Sequence, residues 1–204
     1  MIPESEKQRV ADAIRNAEAK TTGEIYCVVA QQASRYPLVP FAWAALFALL
    51  IPLGAVLFTD EPAGCVYAIQ LAGFVLALAI FSLPRLRRYL VPRLVQHARA
   101  HLTALRQFAA QGMHKSRNRT GVLIFAAQAE RYATIVADEG IHGKVAPETW
   151  NGAIDILVAA IKDGHPADGF VGAVERCGAV LAEHFPRPAG SVVPNDLPDK
   201  LVEI

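Results

Sequence analysis

With 204 residues, 20 basic and 19 acidic side chains and 53% hydrophobic residues, the chain has room for one compact aqueous domain beside a membrane unit. Three widely spaced cysteines, Cys27, Cys65 and Cys177, without a CxxC pair, exclude a disulfide-stapled scaffold and a zinc-ligand spacing. The net charge of +1 hides an asymmetry: Pro84 to Thr120 holds nine Lys and Arg and no Asp or Glu, while the rest of the chain is net acidic. Beside an apolar span this basic block points to anionic lipid headgroups, and no aromatics or binding motif accompany it that would suit nucleic acid.

In chain order, Ser5 to about Ala19 reads as the first helix, with Ser5 and Gln8 as a capping box and Val10, Ile14 and Ala17 on one face. The start, MIPESEKQRV, carries charges where a signal peptide needs its apolar core, so no cleaved targeting segment is expected. Thr21-Thr22-Gly23 breaks the helix, and Glu24–Ala30 (EIYCVVA) is a strand covered on both faces.

Val39–Phe58 has no charged residue over twenty positions, long enough at about 1.5 Å per residue for a bilayer core of about 30 Å. Cys65–Pro84 repeats the pattern after the short turn Thr59–Gly64, so the two form a transmembrane hairpin. Asp60 and Glu61 lie in the turn, whereas Arg35 precedes the first span and Arg85, Arg87, Arg88 and Arg93 follow the second. Cytoplasmic flanks keep their Lys and Arg, so both chain ends are expected in the cytoplasm of a multi-pass protein of the cell membrane, with those four arginines at the membrane surface. Pro52 is placed to kink the first span, Gln70 to hydrogen-bond between helices, and Gly73 with Ala77 to let helices approach.

Pro92 then starts a helix ending at Gly112, with Leu94, Val95, Ala98, Leu102, Leu105, Phe108 and Ala109 at helical spacing. Its His97 and His101 sit at i, i+4 without an evident third metal ligand. Val122–Ala127, the turn Gln128–Arg131 and Tyr132–Ala137 make a β-hairpin. A helix from Pro147 presents Trp150, Ile154, Leu157, Val158 and Ile161, and a last one, Ala167 to His184, presents Phe170, Val174, Cys177, Leu181 and Phe185. From Pro186 the tail is proline-rich, with Leu197–Ile204 able to dock. Apolar strands need helices on both sides, so the expected fold is a three-layer α/β/α sandwich. Its expected division is residues 1–38, the hairpin 39–84, residues 85–186 and a tail 187–204.

The stretch Arg119–Gly140 (RTGVLIFAAQAERYATIVADEG), with Thr22-Gly23-Glu24-Ile25 ahead of it and Gly169-Phe170 in a later helix, resembles the TPM domain family, also called the TPM phosphatase family. The layout is similar to its small bacterial branch with a central pair of membrane spans. The resemblance implies either a phosphatase activity or a part in assembling and repairing membrane complexes, and a bound Ca or Mg ion. After the glycine this chain has Ile141-His142-Gly143-Lys144 in place of the acidic stretch of cation-binding relatives, which counts against calcium. A metal-dependent phosphoryl-transfer site needs carboxylates at strand ends. Asp138, Glu139 and Glu24 are the candidate metal ligands, and Asp138, Glu139 and Arg119 the candidate catalytic set, with His114 a further candidate for phosphate contact. Equally, Asp138 can simply accept backbone N–H groups in its own turn. Two functions stay open: an interaction or assembly module with a membrane-protein partner or a second copy, and a membrane-tethered phosphatase dependent on a divalent cation.

Overall fold

The computed structural model describes residues 2–34, 36, 38–58, 62–83, 86, 90–112, 119–188 and 197–204. The chain divides into two units, Met1–Ala33 with His97–Ile204, and Ser34–Gln96. The order is α1 (Glu4–Glu18), β1 (Glu24–Ala30), α2 (Leu38–Phe58), α3 (Ala63–Phe81), α4 (Arg93–Ala110), β2 (Gly121–Ala127), β3 (Tyr132–Ala137), a helical turn Glu139–His142, a 3-10 turn Pro147–Trp150, α5 (Asn151–Asp163), α6 (Pro166–His184) and β4 (Leu201–Glu203).

The first unit is a mixed α/β fold around a four-stranded sheet in the order β3-β2-β1-β4. β1 runs parallel to β2 and β4, and β2 antiparallel to β3. β1 and β2 are buried at every position, as strands covered on both faces must be. Alternate side chains feed two cores: Ile25, Cys27, Val29, Val122, Ile124 and Ala126 pack with α1, α5 and α6. Tyr26, Val28, Ala30, Leu123, Phe125 and Ala127 pack with Ala100 and Ala104 of α4. α1 comes close to α6 because Gly178 has no side chain; a Cβ there would lie 2.6 Å from that of Ala17.

Two local expectations change. Ser5 lies inside α1 and the capping box does not form, since Pro3 holds the N-cap and its carbonyl accepts from the Glu6 and Lys7 N–H groups. The leucines of α4 are not its core face: Leu94 is 84% exposed and Leu102 45%, while Ala100 and Ala104 are fully buried. These small side chains share the second core with the bulky Tyr26 and Phe125, which already fill the space a leucine face would need. The end of the tail docks as expected: from Leu197 it packs back, and β4 adds a fourth strand beside Cys27–Val29.

In the second unit, α2 and α3 pack through Ala44, Ala48 and Ala77, with Gly73 under Ile51 and an edge-to-face pair Phe41–Phe74 at 5.6 Å. Large side chains face outward, among them Leu49 at 65% and Leu76 at 62% exposure. Among the described residues, one helix, Ala63–Phe81, is long and apolar enough to cross a membrane, and Leu38–Gly54 is a shorter apolar run. α3 starts earlier than expected because Pro62 occupies its N-cap, and it ends at Phe81 because the residue before Pro84 is driven out of the helical region. Gln70 lies in a groove with Ala45, Ala48, Tyr67 and Phe74. The expected interhelical hydrogen bond from Gln70 is not among those of the described residues, because the groove around it is apolar apart from Tyr67.

Candidate functional site

The strand ends bring the candidates together. The Asp138 N–H donates to the Gly121 carbonyl at 2.9 Å, which fixes the end of β3 beside the start of β2. Asp138 is extended and caps the next helical turn, its Oδ1 accepting the Glu139 N–H at 2.7 Å. Two residues before Gly121, Arg119 takes a positive φ of 51°, a conformation that non-glycine residues adopt only under local constraint. Its guanidinium reaches Glu139 Oε2 at 2.6 Å and Asp138 Oδ1 at 3.6 Å. Asp138 is buried at 3% exposure, Arg119 and Glu139 are open to solvent, and Asp138 Oδ2 has no hydrogen-bond partner among the described residues.

Glu24 is buried at the start of β1, in register with Gly121. By strand alternation it shares the sheet face of Tyr26, as Asp138 shares that of Val136, both on the α4 side. Two strand spacings of about 4.8 Å separate their backbones, with the side-chain-free Gly121 between. Arg119, Asp138 and Glu139 thus form one cluster, and Glu24 stands across a strand from it.

This donor set does not fit a hard divalent cation. Among the described residues no three His, Cys, Asp or Glu side chains come together as such an ion needs, and a guanidinium already bridges Asp138 and Glu139. An arginine fork on two carboxylates is an ion pair that fixes the turn, with both Nη atoms engaged and the Glu139 and Arg119 side chains at the surface.

A second carboxylate cluster escaped the sequence reading. Glu18, at the end of α1, accepts the Ile25 N–H at 2.7 Å. Burial pushes its carboxyl up to about 8, and Asp199 and Glu24 push the same way against the Ile25 hydrogen bond. The only hint in the sequence was Glu18 six residues before Glu24; Asp199 enters through the docked tail, which no spacing rule reaches. Burial likewise raises the thiols of Cys27, well above its ordinary value, and of Cys177, to about 12, so both are inert core fillers. His97 lies tilted against Tyr132 with ring centroids 5.1 Å apart, and the Tyr132 hydroxyl lies 3.4 Å from His101 Nδ1. Trp150 is buried in the core, as its place at the head of the apolar stripe required. Of the arginines expected at a membrane surface, Arg93 opens α4 and is exposed, while Arg85, Arg87 and Arg88 lie outside the described residues, as does His114.

Residues 85–180 match the family model described as the TPM domain. The solved structures include the NMR structure of the BA42 protein from the psychrophilic bacterium Bizionia argentinensis. It is 19% identical and similar over 100% of this chain and 95% of that one, with a TM-score of 0.61, a likeness of fold. No curated protein matches the chain.

Proposed function

We propose, on the premise that this chain carries a TPM domain over residues 85–180, that it is an integral protein of the cell membrane whose TPM domain serves as an interaction or assembly module on the cytoplasmic side. In this reading the fold is a three-layer α/β/α sandwich, interrupted by α2 and α3 as a transmembrane hairpin. The two cores on opposite sheet faces support the layering, and the outward apolar side chains of α2 and α3 support the hairpin. The arginines after α3, against Asp60 and Glu61 in the turn, support a cytoplasmic domain.

The observation that carries the module over an enzyme is the Arg119 bridge: the carboxylates that chemistry would need are held by a guanidinium, in a turn that presents charge outward. Its partner is a membrane protein or a second copy. Purified protein in detergent is expected to show no hydrolysis of p-nitrophenyl phosphate, with Mg or Ca ions or without, that depends on Asp138. Hydrolysis abolished by Asp138→Ala and by Arg119→Ala, with the fold intact by circular dichroism, would replace this reading with the phosphatase one. One observation favours that alternative: Asp138 Oδ2 is buried without a hydrogen-bond partner among the described residues.

A further inference from the structure

α4 carries two apolar faces, and the sheet uses only one. Ala100 and Ala104 are buried against Tyr26 and Phe125. At about 100° per residue, Leu94, Ala98, Leu102 and Leu105 fall within one sector about 80° wide, roughly 140° around the helix from that buried pair. Leu94, Leu102 and Leu105 are 84%, 45% and 41% exposed, and Ala98 is exposed as well. Arg99 and Arg106, both exposed, flank this stripe along one edge. A row of leucines left in water at this density asks for a cover.

We infer that the outer stripe of α4 lies in the headgroup layer of an anionic membrane, with Leu94, Leu102 and Leu105 dipping toward the acyl chains and Arg99 and Arg106 on lipid phosphates. This rests on the membrane reading of α2 and α3. Two features favour lipid over a protein partner. The whole stretch Pro84 to Thr120 holds nine basic residues and no acidic one, the pattern of a segment facing an anionic surface. And only residues 82–92 separate the end of α3 from the start of α4, so the helix begins within reach of the interface. An apolar stripe with basic residues at its border lies in the plane of the interface, about 5–10 Å into the headgroup boundary. The TPM domain would then be held to the membrane along α4 as well as by the hairpin.

The test uses the full chain with Cys65→Ser, which leaves only the two buried native thiols. An environment-sensitive fluorophore is placed in turn at Leu102→Cys, at Leu71→Cys in α3, and at the exposed Asp155→Cys on α5, across the sheet from α4. The protein is reconstituted in nanodiscs of phosphatidylcholine, alone or mixed in equal parts with phosphatidylglycerol, with brominated acyl chains as quencher. The expected result is quenching at position 71 in both lipids, none at 155, and quenching at 102 that is strong with phosphatidylglycerol and lost on Arg99→Glu with Arg106→Glu. Quenching at 71 without any at 102 overturns the inference and leaves the membrane reading standing; no quenching at either position overturns both. Quenching at 102 unchanged by lipid charge and by the arginine reversals overturns the assignment to an anionic surface.

Discussion

Replacing residues 35–95 by a flexible linker of about five Gly and Ser is expected to turn a detergent-dependent protein into a soluble, cooperatively folding domain. The break points are close together within the first unit. The Ala33 N–H donates to both Glu130 carboxylate oxygens at 3.1 and 3.2 Å, and its carbonyl accepts from Thr103 Oγ1 at 3.2 Å. Thr103 is seven residues along α4 from Gln96, about 10 Å at helical rise, a distance within the about 16 Å reach of a five-residue linker. Each removed leucine or phenylalanine that now stands exposed would contribute about 1.5–3 kcal/mol if taken out of water. With Leu38, Phe41, Leu46, Phe47, Leu49, Leu50, Leu53, Leu57, Leu71 and Leu76 all more than 40% exposed, the sum far exceeds the stability of a domain this size. Size-exclusion chromatography and a thermal melt check it: the shortened chain should run as a discrete species without detergent and melt in one transition. An unfolded or aggregated shortened chain would mean that residues 35–95 belong to the domain's own core.

The second large effect is a loss of stability as pH rises, centred on Glu18. In the folded chain its carboxyl is pushed from an ordinary 4.5 up to about 8, first by burial, then by the charges of Asp199 and Glu24 and a hydrogen bond with Asp199. The unfolded chain releases this proton at the ordinary value, so between the two values only the folded state holds it. The contribution is fully present below about pH 4.5 and is lost as pH rises through about 8, on the order of a few kcal/mol over the window. The strain falls where the C-terminal segment meets the end of α1, so the three-residue β4 is the element expected to loosen first. Glu18→Gln keeps the acceptor for the Ile25 N–H and removes the titration. Thermal unfolding in detergent at pH values from about 5 to about 9 should fall steeply for the parent and stay nearly level for the variant across this window. Parallel curves for the two would place the pH dependence on another group.

What the sequence disclosed depended on whether the signal was local. β1, β2 and β3 lie where their continuous apolar runs put them, and α6 buries Phe170, Val174, Cys177 and Leu181, because one face against a core leaves a plain helical period. α4 misled for the same reason: its most hydrophobic face is Leu94, Leu102 and Leu105, while the sheet side takes Ala100 and Ala104 with part of Phe108, and available space outweighs hydropathy where Tyr26 and Phe125 are already large. β4 was beyond reach, since three residues after a proline-rich tail carry almost no period of their own and become a strand only by pairing with β1. At the candidate site, the strand ends exposed Asp138, Glu139 and Arg119 as a group. The sequence could not show that Arg119 turns back through a positive φ onto both carboxylates, nor that Glu18 and Asp199 meet.

The central claim is that α2 and α3 thread the bilayer and leave the TPM domain on the arginine-rich side. Labelling intact cells with a membrane-impermeant maleimide tests it, in a Cys65→Ser chain carrying either Asp60→Cys in the connecting turn or Asp155→Cys on α5. The account predicts that position 60 labels from outside at once and position 155 labels only after the membrane is permeabilised. Immediate labelling at 155, or release of the unlabelled chain into the soluble fraction, would contradict it.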